Sequence, residues 1–353
     1  MTNLSWIGSL WFALTNITGP FHVYLCGKVG YKWMLGVACI LSGFSMMMAS
    51  ISSSIWHLYL TQGVLSGIAS SLAWFPCISG PQQWFSSRRG LAVGLAISGS
   101  GIGGLVITNV IRAAIESVGY QWSLRILGFM QMGLLAISFL TVKQLNPIPR
   151  DVPLIDTSTF KNKSFWVLFS IHFIGNFAFY SPSSFVPSYA ESLGLPSIIS
   201  TNLSGVMSGL MVVGKITNGV LSDYIGRKNV TCMVTIMCGV VCLAVWYTAE
   251  TAASLWAFVV LFGLFGGGYV TCVSSVIIEC VGVELVESAN GWLYFAWIFG
   301  GLFGQPISAA IIDHNGGSYK GAIIFGGVLF LFAGLMAALL RFMHSGPKLF
   351  VKA

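Results

Sequence analysis

Long apolar runs separated by short polar breaks make up almost the whole chain. Each run is roughly 20 residues long, the length an α-helix needs to cross the hydrocarbon core of a bilayer. The pattern predicts an all-α polytopic membrane protein with eleven spans. We place them near Leu4–Leu25, Trp33–Ile51, Leu58–Ile78, Leu91–Ile111, Leu124–Val142, Phe165–Tyr189, Ile198–Leu221, Val230–Thr248, Leu255–Ile278, Asn290–Ile312 and Ala322–Phe342.

The longest polar stretch, residues 143–164, separates five spans from six. It contains Pro147, Pro149 and Pro153 together with four basic side chains, a composition typical of a linker. If the two groups of spans are repeats, the first group lacks its first helix. The predicted divisions are an N-terminal half-bundle at 1–142, a cytosolic linker at 143–164, a six-helix half-bundle at 165–342 and a cytosolic tail at 343–353.

Basic side chains concentrate at alternate connections between the spans. The opposite connections hold only Arg112, Arg125 and Lys320, and Lys215 lies within a span. Cytoplasmic loops carry an excess of Lys and Arg, so the linker and the C-terminus are predicted to face the cytosol and Met1 to start outside. The bases on the predicted cytosolic side are Lys28, Lys32, Arg88, Arg89, Lys143, Arg150, Lys161, Lys163, Arg227, Lys228, Arg341, Lys348 and Lys352.

The composition excludes a water-soluble fold. Of the 353 residues, 56% are hydrophobic and 8% are charged, whereas soluble domains carry about 25% charged residues. The net charge of +7 does not indicate a nucleic-acid partner, because the bases lie in short loops without interleaved aromatic residues. The eight cysteines form no C-x-x-C pair, so we expect no metal site and no cofactor.

Glycines recur four residues apart in several of the predicted spans. Small residues at this spacing lie on one face of a helix and let two helix backbones approach closely. The pattern therefore predicts tight helix crossings. The pairs include Gly63 and Gly67, Gly205 and Gly209, Gly263 and Gly267, and Gly300 and Gly304.

A compact charged stretch, Gly219–Lys228, joins the seventh and eighth predicted spans. By the positive-inside rule it could be an ordinary basic loop. Its spacing, G-x-L-x-D-x-x-G-R-K, resembles the loop signature of major facilitator superfamily transporters, which lies between the second and third helices of each half. In that family the loop acts as a gate latch. The resemblance implies gating roles for Asp223, Gly226, Arg227 and Lys228.

The matching loop of the first half is a degraded copy of this signature. The run from Leu25 to Lys32 keeps Leu25, Gly30 and the basic Lys32, but Gly27 stands where the acid should be. The first latch is therefore predicted to have lost its acid.

A second stretch of the sequence resembles one branch of this superfamily. The run Q-W-F-S-S-R-R-G-L-A-V-G-L-A-I-S-G-S-G-I-G-G, from Gln83 to Gly104, is similar to the signature between the fourth and fifth helices of monocarboxylate porters, above all their fungal branch. The stretch from Ser5 to Leu10 resembles the start of their second helix. The resemblance implies a major-facilitator bundle of two helical halves, twelve helices less the first, and adds Arg88 and Arg89 to the gate.

Lys215 is a cation in the middle of a predicted span, where an unpaired charge is costly. In monocarboxylate porters an Arg at the matching place in the eighth helix attracts the substrate carboxylate, so the resemblance implies that role for Lys215. Met211 stands where animal members carry an acid, which weakens a prediction of proton coupling. The alternative is that Lys215 extends toward the cytosolic face and Asp223.

A polar stripe marks the first span after the linker. His172, Asn176 and Tyr180 recur every four residues, so they share one helix face, and Pro182 and Pro187 are expected to break the helix after them. The stripe faces either substrate or neighbouring helices, to which it would donate hydrogen bonds. Tyr269 and Trp74 are further substrate-binding candidates.

These patterns favour a secondary active transporter that moves a small organic acid or related metabolite by alternating access. The alternative is a non-transporting, carrier-like sensor or an inactive truncated product. No H-E-x-x-H, G-x-S-x-G or Walker A motif occurs, so neither an enzyme nor an ATP-driven pump is expected. The expected partners are an organic anion or metabolite, a proton as candidate co-substrate and membrane lipid. The expected location is the plasma membrane, with an organelle membrane as the alternative.

The charge asymmetry makes a testable prediction about topology. Epitope tags in the 143–164 linker and after Lys228 should stay inaccessible to antibody in intact cells and become accessible after permeabilisation. A tag beside Lys320 serves as the control, because it should be labelled in intact cells. Labelling of the linker without permeabilisation would contradict the assignment.

Overall fold

A computed structural model of the chain describes residues 2–146, 148 and 151–346, and the regular secondary structure in these ranges is entirely helical. Short 3-10 or π-helical turns adjoin several of the helices. The interpretations of Pro147, Pro149, Arg150 and the tail from residue 347 onward lie outside the described residues. The α-helices are α1 (Thr2–Ile17), α2 (His22–Lys28), α3 (Gly30–Ser50), α4 (Ile55–Leu58), α5 (Ser66–Trp84), α6 (Arg89–Thr141), α7 (Lys163–Ser192), α8 (Ser197–Ile225), α9 (Arg227–Val240), α10 (Ala252–Val281), α11 (Val286–His314) and α12 (Lys320–Ser345).

Within the described ranges, eight helical segments are long and apolar enough to cross a membrane. Each overlaps a predicted span. The spans predicted at Leu4–Leu25, Phe165–Tyr189 and Ile198–Leu221 also fall on helices, namely α1 with α2, α7 and α8. The all-α membrane fold is therefore confirmed, while the count of eleven crossings and the missing first helix stay predictions.

Two helices differ locally from the expected pattern. The break predicted at Pro182 and Pro187 is wrong, because α7 continues through both residues. Proline is tolerated in membrane helices, where neighbouring groups satisfy the freed backbone atoms. Helix α6 consists of two helical stretches that meet at a kink at Gly119, in the connection between two predicted spans, and the φ of +81° at Gly119 favours a residue without a Cβ.

The described chain forms two compact units. Unit 1 comprises Met1–Trp84, Val106–Thr159 and Val283–Ile298, and unit 2 comprises Phe85–Leu105, Phe160–Gly282 and Phe299–Ala353. Helices α6 and α11 each contribute to both units. The predicted boundaries of the half-bundles, linker and tail stay predictions.

Unit 2 is held together by close packing of α8 against α10. A Cβ on Gly263 would lie 2.7 Å from the Cβ of Leu210, and one on Gly267 would overlap the carbonyl oxygen of Met211. In the same interface Asn218 donates hydrogen bonds to the carbonyl oxygens of Gly214, at 2.9 Å, and Leu264, at 3.0 Å. The glycines therefore bring two backbones close enough for one side chain to join them.

In unit 1, glycines likewise bring α1 close to the helical segment formed by the π-helical turn Tyr59–Leu65 and α5. A Cβ on Gly63 would lie 2.8 Å from the side chain of Leu10, and one on Gly67 would lie 3.1 Å from the carbonyl oxygen of Trp11. The predicted Gly63 and Gly67 ridge thus lies directly against α1.

The α8–α10 crossing generates a prediction about stability. The substitution Gly267→Ala should destabilise the protein by about 1–3 kcal/mol, because the added methyl group overlaps the Met211 backbone. The matched control is Gly205→Ala on α8, where nothing lies within 4 Å of an added Cβ. The melting temperature of the purified protein in detergent measures both changes. Equal melting temperatures for the two variants would contradict the proposed role of Gly267.

Candidate functional site

The acid of the Gly219–Lys228 stretch binds the start of a neighbouring helix within unit 2. Asp223 Oδ1 accepts from the backbone N–H of Gly90 and Oδ2 accepts from that of Leu91, both at 2.9 Å. These N–H groups lie in the first turn of α6, where backbone donors have no partner within the helix and the helix dipole favours an anion. Gly90 permits the approach, because a Cβ there would collide with Ser222 and Gly219.

Two bases that follow the acid complete an ion-pair network, called here the Asp223 latch. Arg227 Nη2 donates to Asp223 Oδ1 at 2.8 Å and to the carbonyl oxygen of Ser86 at 2.9 Å, and Nη1 donates to Glu279. Lys228 Nζ lies 3.6 Å from the other oxygen of Glu279. Gly226, at φ +110°, provides the sharp connection into α9. Four of the predicted gating residues are thus brought together in one cluster, which Glu279 joins without having been predicted.

The other two predicted gating residues lie outside the ion-pair network. Arg88 is exposed, and Arg89 uses its Nε to donate to the carbonyl oxygen of Phe85 at 2.8 Å. Within the described part of the chain neither guanidinium forms an ion pair. Arg89 is the first residue of α6, and the backbone carbonyl oxygen of Arg88 accepts from the N–H of Ala92 at 3.0 Å, so both residues lie at the helix start whose amides bind Asp223.

Lys215 lies in the interior of unit 2 and is 8% exposed. Its Nζ donates to Ser100 Oγ at 2.8 Å and lies 3.4 Å from the carbonyl oxygen of Ile97. No carboxylate is paired with this ammonium among the described residues, and the partners found for Asp223 are the α6 amides and Arg227. The side chain is therefore directed toward neutral oxygens of α6 and not toward the latch acid.

The polar stripe of α7 lies against α10. His172 and Asn176 are fully buried, Tyr180 is partly buried, and Tyr269 is 1% exposed. The Tyr269 hydroxyl donates to the carbonyl oxygen of Ile171 at 3.2 Å and covers the face of Gly175. The structure thus places Tyr269 beside the His172 and Asn176 part of the stripe.

Trp74 belongs to unit 1. Its ring packs edge-on against Tyr294 with centroids 5.7 Å apart, and its indole N–H has no hydrogen-bond partner in the described ranges. One helix turn away from Tyr294, Asn290 donates to Ser79 at 2.9 Å and to Gln82 at 2.8 Å. Trp74 therefore lies beside a buried polar network.

A cavity of about 460 Å³ also lies within unit 1, and none of the predicted site residues lines it. The side chains with polar groups that line it are Trp11, Gln62, Ser66, Ser70 and Gln131. The Oε1 atom of Gln131 is buried without a hydrogen-bond partner in the part of the chain that the structure describes.

Sequence reasoning missed a buried cluster in unit 1 made of His22, Tyr31, Gln83 and Glu287. The Glu287 carboxylate accepts hydrogen bonds from the other three side chains. A signal was available: when Gly30 is aligned with Gly226, Tyr31 takes the place of Arg227 in the degraded loop. No spacing rule, however, connects that loop to a glutamate more than 250 residues away.

The chain resembles several fungal transporters along its full length. It is 31% identical over 356 residues to "MFS transporter asaE" of Aspergillus flavus, covering 99% of this chain and 80% of that protein. It is also 31% identical over 360 residues to "MFS-type transporter opdF" of Penicillium oxalicum, covering 99% of this chain and 83% of the relative. "Aspyridones efflux protein apdF" of Emericella nidulans is 27% identical over 338 residues, which cover 95% of this chain and 69% of that protein.

Solved structures and a family model agree with these relatives. The fold matches the Escherichia coli fucose:proton symporter FucP with a TM-score of 0.79 at 15% identity, over 96% of this chain and 91% of that one. It matches the human organic anion transporter MFSD10 with a TM-score of 0.74 at 15% identity, over 94% and 82% of the two chains. The family model described as Major Facilitator Superfamily matches residues 1–249 and 203–352. The chain therefore belongs to the major facilitator superfamily and is a multi-pass membrane transporter, not an enzyme.

Proposed function

We propose that this protein is a secondary transporter of the monocarboxylate-porter branch that moves a small organic anion or related metabolite by alternating access. The observation that carries the proposal is Lys215, a buried cation whose contacts among the described residues are neutral oxygens. An anionic substrate would supply the missing negative charge.

The attraction between Lys215 and an anionic substrate would be large enough to affect binding. Two unit charges 4 Å apart attract by about 4 kcal/mol at an effective dielectric constant of 20. The net gain is smaller, because both groups lose hydration when they pair. Since a factor of ten in affinity corresponds to about 1.4 kcal/mol, even part of this attraction suffices to select anions over neutral analogues.

The relatives favour export as the direction of transport. Two of them are named as efflux proteins, one for aspyridones and one for fujikurins. We therefore propose that the substrate is a metabolite leaving the cytosol across the plasma membrane. The alternative of a non-transporting sensor or inactive product is not favoured, because the relatives span nearly the whole chain and are named as transporters.

A proton is the proposed co-substrate. Two proteins with the same fold are named as proton symporters, for fucose and for xylose. In the chain itself Met211, on the same helix as Lys215, stands where animal monocarboxylate porters carry an acid, so a proton would have to be carried by a different group.

We propose the Asp223 latch as part of the gate. Asp223 joins the start of α6 to the beginning of α9 through charge-assisted hydrogen bonds, which are stronger than neutral ones. Breaking and remaking such a cluster is a suitable step for alternating access, because it fixes one arrangement of packed helices without changing the substrate site.

The proposed role of Lys215 predicts that its positive charge is required for transport. Lys215→Met should reduce transport of an anionic substrate at least tenfold, whereas Lys215→Arg should keep it, because the positive charge is retained. The measurement is flux of a panel of radiolabelled monocarboxylates and of riboflavin in proteoliposomes. Lys320→Met is the matched control, since it removes the same charge at an exposed position. Undiminished flux of the acids through Lys215→Met would refute the proposed role.

The proposed role of Asp223 predicts an effect on transport rate and not on substrate affinity. Asp223→Asn should change the maximal transport rate several-fold and leave the half-saturating substrate concentration nearly unchanged, because the latch lies outside the substrate site. Asp313→Asn, which neutralises an exposed acid at the end of α11, is the control. A rate equal to that of the unmodified protein would contradict the gating role, and the loop would then serve only to orient the chain in the membrane.

A further inference from the structure

Unit 1 contains a buried carboxylate at the start of α11 that the gate described above does not use. Glu287 is 4% exposed. Its Oε2 lies 2.7 Å from Nε2 of His22, and its Oε1 accepts from Gln83 Nε2 at 2.6 Å and from the Tyr31 hydroxyl. A buried carboxylate held by this many donors is a fixed structural element and not a solvated charge.

The loop on one side of this cluster corresponds to the Asp223 latch loop residue by residue. Gly30, at φ +78°, introduces α3 as Gly226, at φ +110°, introduces α9. When these glycines are aligned, Gly27 falls on Asp223 and Tyr31 falls on Arg227. The acid is therefore absent from the first loop, and the residue in place of the arginine is a neutral donor.

The helices that face the two loops, α6 and α11, also correspond to each other, as a separate contact shows. A Cβ on Gly94 of α6 would lie 2.5 Å from the carbonyl oxygen of Lys215, and a Cβ on Gly291 of α11 would overlap the carbonyl oxygen of Gly19. In the loop alignment Lys215 and Gly19 are the same position, so Gly94 and Gly291 are also equivalent. One turn earlier along α6 and α11, Glu287 then falls on the position of Gly90.

We propose that unit 1 carries a second gate latch in which the acid and the glycine have exchanged places. Unit 2 has an acid on the loop and a glycine at the start of the helix. Unit 1 has Gly27 on the loop and Glu287 at the start of the helix. The inference rests on the proposed gating role of the Asp223 latch for its functional meaning.

The exchange explains why the donors differ between the two latches. In unit 2 the space left by Gly90 lets Asp223 reach the backbone N–H groups of the helix. In unit 1 the Glu287 side chain occupies that place and brings the negative charge with it. The loop side must then supply donors, and it does so with Tyr31 and His22. An acid at position 27 would add a second buried carboxylate, so glycine is favoured there.

A metal centre is the competing explanation for the same residues. His22, Cys26 and Glu287 offer ligand atoms that all lie within 4.8 Å of one another. Two ligands at zinc-bond distances of about 2.0–2.1 Å are roughly 3.3 Å apart in a tetrahedral site. The observed 2.7 Å between His22 and Glu287 matches a direct hydrogen bond. Tyr31 and Gln83 donate to the same carboxylate, which a latch requires and a three-ligand metal site does not.

A reciprocal substitution tests whether the acid and the glycine have exchanged places. Gly27→Asp alone should lower the melting temperature of the full chain in nanodiscs, because two carboxylates then meet. Glu287→Gly alone should lower it by about 5 °C, because three donors lose their acceptor. The double variant Gly27→Asp/Glu287→Gly recreates the unit 2 arrangement and should melt above either single variant. If the decrease in melting temperature of the double variant equals the sum of the two single decreases, the inference is wrong.

Conservative substitutions test the same hydrogen bonds with variants that should still fold. Glu287→Gln and Tyr31→Phe should each lower the melting temperature, and their combined effect should be smaller than the sum, as expected for partners. Glu284→Gln is the matched control, because Glu284 is an exposed acid just before the same helix. A rise in melting temperature of the unmodified chain with Zn²⁺, abolished by Cys26→Ser, would instead establish the metal centre and overturn the latch.

Hydrogen–deuterium exchange separates this inference from the proposed function. Glu287→Gln should raise the exchange rate at least severalfold in peptides covering 19–35 and 284–291 and leave the rate in 219–232 unchanged. Asp223→Asn should raise the rate in 219–232 and leave the rates in 19–35 and 284–291 unchanged. These readouts need no substrate, so they hold even if no flux of the tested acids is found. Transport that is altered by Asp223→Asn, with no local effect of Glu287→Gln, would leave the proposed function intact and overturn the second latch.

Discussion

A carboxylate that is removed from water has to be held by hydrogen-bond donors, and the polar clusters of this chain are built around that requirement. The first turn of a helix is where such donors are available, because its backbone N–H groups have no partner within the helix. Asp223 binds that turn of α6 from outside, and Glu287 lies within the corresponding turn of α11. Both acids therefore lie where the helix dipole also favours them.

Close packing of backbones makes these polar contacts possible. Gly90 and Gly94 let α6 lie against the end of α8, so the Asp223 side chain can span the remaining gap. Gly19 and Gly291 bring α11 equally close to the segment before α2. Small residues determine how near the helices come, and the charged residues then join the arrangement that results.

Lys215 stands apart from both clusters in its chemistry. The Asp223 latch and the Glu287 cluster satisfy their charges with protein groups, whereas Lys215 donates only to neutral oxygens among the described residues. This difference is the basis for the proposal that Lys215 binds an anionic substrate, because a cation already neutralised by the protein would gain little from one. The same unit thus combines a cation paired with two carboxylates, Arg227, with a cation whose partners among the described residues are neutral oxygens, Lys215.

The sequence by itself determined the all-α membrane fold and three charged members of the Asp223 latch, namely Asp223, Arg227 and Lys228. Apolar length decides membrane crossing, and a tight connection keeps an acid and two bases within six residues near one another, but it does not predict that Glu279 joins them. Only the tertiary structure revealed that α7 continues through Pro182 and Pro187, and that Lys215 is directed toward Ser100 and away from Asp223. It also brought Glu287 to His22 and Tyr31. These outcomes depend on contacts between residues far apart along the chain, and periodicity and local spacing contain no information about which distant helices pack together.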